Sequence, residues 1–302
     1  MTIAVRQVSK AFGPVQAVAD VSFAVQSGEI YGLLGRNGAG KTTTINAIIG
    51  LIEPDAGAVE ICGADARRDR AAAKKRIGAA LQSTGLQPEI TPREALSQFA
   101  MLYGVPANVE GLIARFGLAE KADAKYATLS EGQKQRLALA LAFVNGPAVV
   151  VLDEPTAGLD PQMRRALHEQ ILAMKADGRA VLLATHDMQE AISLCDRVAI
   201  IEGGKILAEG PPRTLTAGVT QKSRLVIEAD APLEPAWFAA LADVSGIVCE
   251  GAVARLSTNN LNAALAAIVA MLNARGVAIL RVETERAALE DVMLDLVAKA
   301  RA

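Results

Sequence analysis

Apolar and polar positions alternate near the start of the chain. Ile3, Val5 and Val8 lead into Lys10 to Pro14, and Val15 to Val25 follows with near alternation. That period predicts antiparallel strands. Ser27-Gly28 is a turn, Glu29 to Leu34 a short apolar strand, Gly35 to Thr42 a glycine-rich loop and Thr43 to Leu51 a helix. Arg67 to Arg76 is a charged segment. Thr91-Pro92 opens a helix to about Tyr103, with proline at its first position. Ala107 to Phe116, Glu131 to Phe143, Pro161 to Ala176 and Met188 to Cys195 also read as helices. Between them Ala148 to Leu152 is a continuous apolar strand, Ala180 to Ala184 a buried strand and Arg197 to Ile201 a strand, and Gly203-Gly204 is a hairpin turn. Strands alternating with helices predict a mainly parallel sheet covered on both faces.

The pattern changes after Gly210-Pro-Pro212 to Thr220. Arg224 to Ala229 and Ile247 to Ser257 read as strands, the second turning at Glu250-Gly251. A helix is expected near Glu234 to Leu241, a long one over Asn259 to Arg275, a strand over Gly276 to Val282 and a last helix over Ala287 to Ala300. This order fits a small ferredoxin-like α+β unit. The long helix is apolar over much of its circumference. A small unit buries one such stripe, so surplus apolar surface is expected there.

Composition narrows the classes. The 302 residues suit about two domains, and 51% hydrophobic content is globular. Basic and acidic residues number 31 and 33, and neither the part up to Thr220 nor the part after it carries the basic excess of a nucleic-acid grip. Cys62, Cys195 and Cys249 are isolated, which argues against a disulfide framework or structural zinc and for a reducing compartment. The start lacks a basic stretch followed by an apolar signal core. The uncharged run Leu137 to Leu152 is broken by Asn145-Gly146-Pro147 and is not a membrane span.

Gly35-Arg36-Asn37-Gly38-Ala39-Gly40-Lys41-Thr42 matches GxxxxGK[ST] between a strand and a helix. Glycines let backbone N–H groups curl around phosphate oxygens, and the helix adds its positive dipole end. Lys41 reaches the outer phosphates, and the Thr42 hydroxyl suits Mg²⁺. Val149 to Leu152 ends in Asp153 and Glu154, one placed to serve a metal and one to act on water. Leu129-Ser130-Glu131-Gly132-Gln133 precedes a helix, with Ser130 as a candidate N-cap.

The order of phosphate loop, Gln82, Leu-Ser-Glu-Gly-Gln, Asp153-Glu154, Ala-Gly-Leu-Asp160 and His186 resembles the ATPase subunit of an ABC transporter. The resemblance covers about residues 1–215. It implies a phosphate-loop NTPase of the α/β class with a mainly parallel sheet and an antiparallel β subdomain. It also implies a helical subdomain over about 83–145; residues 221–302 form a small α+β accessory domain. By the same resemblance Gly35 to Thr43 and Lys41 hold ATP, and Ser130, Gly132, Gln133 and Asp160 serve the nucleotide across a dimer. Thr42, Gln82 and Asp153 serve Mg²⁺. Glu154, His186, Gln82 and Lys41 carry hydrolysis. Phe12 matches an adenine-stacking aromatic, with a core position as the other reading. Leu96, Phe99, Leu102 and Tyr103 are either core or anchors for a membrane subunit. Glu131 departs from the family's usual glycine, so its carboxylate is expected to point away from the triphosphate.

The resemblance further implies a homodimer and a separate integral membrane permease. It puts the chain on the cytoplasmic face of the membrane, held by that partner, with no role for nucleic acid. Thr84-Gly-Leu, Thr91-Pro-Arg-Glu, Leu102-Tyr-Gly and the Ala287-Leu-Glu-Asp-Val-Met-Leu tail resemble exporters. An importer ATPase, or a soluble ATPase of the same class outside transport, are the other readings.

Overall fold

The computed structural model describes residues 2–81, 85–106, 108–218 and 223–285. The chain divides into two compact units, Met1–Pro212 and Arg213–Ala302.

In the first unit β1 (Ile3–Phe12) and β2 (Val15–Val25) form the expected hairpin. β3 (Ile30–Leu34) leads into α1 (Lys41–Ile48). β4 (Ala56–Ile61) and β5 (Ala64–Asp65) complete an antiparallel sheet in the order β2-β1-β4-β5. α2 (Arg70–Arg76) then leads to β6 (Ile77–Ala80). α3 (Pro92–Tyr103), α4 (Val109–Arg115) and α5 (Glu131–Ala142) are followed by β7 (Val149–Asp153) and α6 (Pro161–Ala176). β8 (Ala180–Thr185), α7 (Met188–Leu194), β9 (Arg197–Glu202) and β10 (Lys205–Gly210) close the unit. The central sheet has the order β10-β9-β3-β8-β7-β6. Its strands pair in parallel except for β10, which returns from β9 as a hairpin. β3, β7 and β8 are buried along their whole length, as strands covered on both faces must be.

Local chemistry sets the helix starts. Thr91 caps α3, with Glu94 reaching back to close a capping box, and Pro92 sits in the first turn. Asn108 caps α4, so that helix starts later than the apolar pattern predicts; Ala107 lies outside the described residues. The pattern misses β4, β5 and β6. β6 is Ile-Gly-Ala-Ala because the end of α5 crosses it closely, with the Ala142 carbonyl against Gly78. Leu96 is core, Phe99 and Tyr103 are half-buried, and Leu102 is exposed beside Met101.

α8 (Pro212–Gly218) starts at the boundary between the units, and the second unit continues with β11 (Ser223–Ala229), α9 (Pro235–Ala239), β12 (Val244–Glu250), β13 (Val253–Thr258), α10 (Leu261–Ala274) and β14 (Ile279–Glu285). The antiparallel sheet runs β12-β13-β11-β14, the strand order of two interleaved βαβ units. α9 is shorter than expected, a single turn that buries Phe238. α10 buries Ala264, Ile268 and Leu272. Its outward face is mostly alanine, with Val269 the large apolar residue exposed there. The surplus apolar surface expected from its sequence is therefore modest. The helix expected over Ala287 to Ala300, and the exporter-like tail, lie outside the described residues.

Candidate active site

The parallel register brings three chain segments to one edge. Leu34 pairs with Thr185 and Asp153 with Ala184, so the loop after β3, the acids after β7 and His186 after β8 leave the sheet side by side. Carboxyl ends of parallel strands are where such sheets hold ligands.

The loop wraps the start of α1. Gly40 has φ of 109°, and a Cβ there would lie 2.5 Å from the Ala17 carbonyl, so glycine is required. No side chain caps α1 and its first turn carries no acid, which leaves its N–H groups for an anion. Arg36, Asn37 and Gly38 are exposed on the rim, Thr42 is exposed and Thr43 half-buried at the helix start. The Gly204 N–H donates to the Ala39 carbonyl, bracing the loop from the β9–β10 turn. The apolar pattern cannot show this brace, because it is made by main-chain atoms.

Lys41 is 4% exposed. Its Nζ donates to the carbonyls of Gly35 at 2.8 Å and Arg36 at 3.2 Å, and lies 3.2 Å from Glu154 Oε1. Glu154 Oε2 lies 2.9 Å from His186 Nδ1. A carboxylate only accepts, so Nδ1 carries the hydrogen. One chain thus joins the loop lysine, the acid and the histidine. Glu154 adopts φ of 51°, a strained conformation for a residue with a side chain, held by its N–H on the Ala184 carbonyl.

Asp153 is 1% exposed. Burial raises its pKa first, opposed by a hydrogen bond from Thr42, while the Glu154 charge adds to the rise and Lys41 lowers it. Asp153 Oδ1 has no hydrogen-bond partner. A buried carboxylate oxygen without a donor, with a hydroxyl beside it, fits a hard divalent cation. Among the described residues no cluster of three His, Cys, Asp or Glu is placed to hold a metal ion. Gln82 lies outside the described residues.

Other candidate residues stand apart from this chain. Ser130 caps α5: its Oγ accepts from the Gln133 N–H at 3.3 Å, and Gln133 Oε1 accepts from the Ser130 N–H at 2.9 Å. Gln133 is therefore engaged in a capping box. Gly132 is buried against Met163 Sδ. Glu131 points outward, 80% exposed, with its carboxylate 2.8 Å from Lys134 Nζ. Asp160 caps α6 by accepting from the Met163 N–H at 2.8 Å. Among the described residues no hydrogen bond or ion pair joins Ser130, Gly132 or Gln133 to Lys41, Glu154 or His186. Phe12 is 52% exposed with Lys10 over its ring, which rules out the core reading.

Comparison with known proteins follows the same lines. Residues 18–157 match the model of a family described as ABC transporter. A Nod factor export ATP-binding protein I from Burkholderia lata is 46% identical over 215 residues, 70% of this chain and 71% of that protein. The chain belongs to the ATP-binding proteins of ABC transporters. A protein of the same name from Bradyrhizobium diazoefficiens is 42% identical over 220 residues, covering 71% of this chain and 72% of that one. A solved ATP-binding subunit of an ABC transporter superposes with a TM-score of 0.66 at 32% identity, covering 72% of this chain and 93% of the other. A dimeric bacterial ABC transporter cassette matches with a TM-score of 0.63 at 25% identity, covering 69% and 98%. This chain is thus an ABC ATPase subunit that binds and hydrolyses ATP for a transporter, and cassettes of the family form dimers. Among the described residues no helix is long and apolar enough to cross a membrane.

Proposed function

We propose that this chain powers an exporter through a homodimer that binds two ATP molecules, docked on a separate integral membrane permease at the cytoplasmic face of the cell membrane. The observation that carries the reading is the chain from Lys41 through Glu154 to His186 at the mouth of the phosphate loop. The export direction rests on the export ATP-binding proteins to which the chain is similar.

Each residue then has a task. N–H groups of Gly35 to Thr43 bind the phosphates, and Lys41 moves from its loop carbonyls to the outer phosphates. Thr42 and Asp153, with Gln82, would hold Mg²⁺, and the cation would supply charge neutralisation on the phosphate oxygens. Glu154 takes the proton of the attacking water, and His186 orients Glu154 through Nδ1. Phe12, about half exposed, stacks on adenine. Ser130, Gly132, Gln133 and Asp160 act on the ATP of the partner copy. Leu102 and Met101, exposed on α3, form part of the permease contact.

Mixed dimers test the shared site. Ser130→Ala and His186→Ala should each be slow. In a mixed dimer one ATP site carries both lesions and the other neither, so mixing should restore partial turnover. No recovery, with mixed dimers present by mass spectrometry, would count against the arrangement.

A further inference from the structure

The segments that carry Asp160 and His186 each run directly into a helix. Asp160 caps α6, and α7 starts two residues after His186. The two helices are joined by two polar contacts in sequence. Arg164 Nη1 donates to Asp187 Oδ2 at 3.3 Å. One turn further on, His168 Nε2 lies 3.4 Å from Glu190 Oε1. Arg164 and His168 are four apart and so share a face of α6; Asp187 and Glu190 are three apart at the start of α7.

The second contact is not what plain packing would select. The Glu190 side chain is wholly buried, and its two oxygens have no hydrogen-bond partner; the His168 ring is the group that faces it. A buried carboxylate served this poorly costs stability, and an apolar residue of similar size would pack the helices at least as well. Apolar stripes are present already, Leu167, Ile171 and Met174 on α6 and Ala191 and Leu194 on α7. Such stripes tolerate sliding, whereas the directional Arg164–Asp187 hydrogen bond favours one register, and the buried Glu190 carboxylate is best served where the His168 ring faces it. Asp187 adds a direct link: its Oδ1 accepts from the Gln189 and Glu190 N–H groups while Oδ2 receives Arg164. Arg164 therefore grips the N-terminal turn of α7, next to the histidine that meets Glu154.

We propose that the pairs Arg164–Asp187 and His168–Glu190 hold the His186 segment in register with the Asp160 segment, making Arg164 and His168 positioning residues for hydrolysis. The proposal rests on the reading of His186 given above. It links, within one subunit, the segment that meets the partner copy to the histidine that orients the water-activating acid. Misplacing a catalytic group by about 1 Å can cost about 100-fold, so a partial loss of register should be visible in turnover.

The test is a double-mutant cycle in the full chain, read by single-turnover hydrolysis with enzyme in excess and by calorimetric ATP binding. Arg164→Gln should slow hydrolysis about 10-fold while ATP Kd stays within about twofold. Arg164→Lys, which keeps the charge, should recover at least half of the rate. In the His186→Ala background Arg164→Gln should cause no further loss, because the residue acts through His186. An equal loss in both backgrounds, no loss in the first, or a lysine variant as slow as the glutamine variant would overturn the proposal. If Arg164→Gln does not melt cooperatively, His168→Asn is run through the same cycle. There a loss of about threefold that vanishes without His186 is expected, and an additive loss overturns the proposal. A His186→Ala protein with the parent rate would instead refute the reading of the site itself.

Discussion

The two units of the chain treat buried polar groups differently. In Met1–Pro212 the buried polar and charged residues include Glu29, Lys41, Asp153, Thr185 and Glu190, and several of their atoms lack partners. In the described part of Arg213–Ala302 the buried polar residue is Thr258. Its hydroxyl is satisfied, accepting from the Asn260 N–H at 3.1 Å and donating to the Asn260 carbonyl at 3.2 Å. The first unit also holds a strained acid at Glu154 and places Lys41 between loop carbonyls and a carboxylate. The second unit follows the ordinary rule that buried polar groups find partners. The difference teaches where the first unit departs from that rule: the unpartnered Asp153 oxygen, the Lys41 contacts and the strained Glu154 come together at the phosphate loop.

The largest expected effect sharpens that contrast. Glu154→Gln should retain ATP binding and lower turnover by about two to four orders of magnitude, as loss of a general base does. ATP binding by calorimetry and phosphate release, free of contaminating ATPase, measure the two quantities. Turnover near the parent rate would mean that the strained acid is structural, and the contrast between the units would lose its functional meaning.

The second test addresses the other unit. Ile268 is fully buried in α10, within a core that includes Leu225, Ile227, Phe238 and Leu256. Ile268→Ala should destabilise this unit by about 3 kcal/mol, from lost transfer energy plus a residual cavity. Thermal unfolding followed by circular dichroism should show it, while turnover at 25 °C stays within about twofold. A collapse of ATP turnover in a variant still folded at that temperature would show that the second unit takes part in the chemistry.

Legibility from sequence follows the same division. The loop from Gly35 to Thr42 was readable because phosphate binding demands those residue types at that spacing. β7 and β8 were readable because strands buried on both faces must be apolar throughout. β6 was not, since close passage of α5 demanded glycine and alanine, which carry no period. Ser130 as a cap was legible; that Gln133 would return to close the box was visible only in the fold. The Lys41–Glu154 contact and the positive φ of Glu154 join residues 113 positions apart, or depend on backbone angles, and no local pattern encodes either. The apolarity of α10 misled in the other direction, because alanine counts as apolar yet offers little surface to a partner.

The smallest expected effect concerns Glu131, where the first unit behaves like the second. Its carboxylate lies in solvent beside Lys134, three residues on along α5. A solvated pair at that spacing contributes little, and salt screens it. Its place in the first turn of α5 adds a small favourable term with the helix dipole, about 0.3–1 kcal/mol at low ionic strength. Glu131→Ala should therefore lower the unfolding free energy by under about 1 kcal/mol and leave turnover within about twofold. Unfolding and phosphate release at low and high salt would measure both. The opposite outcome, a several-fold faster variant whose advantage fades as salt rises, would mean that the Glu131 charge opposes the triphosphate. The signature segment would then have to turn this side chain toward the nucleotide, against the outward pose held by Lys134.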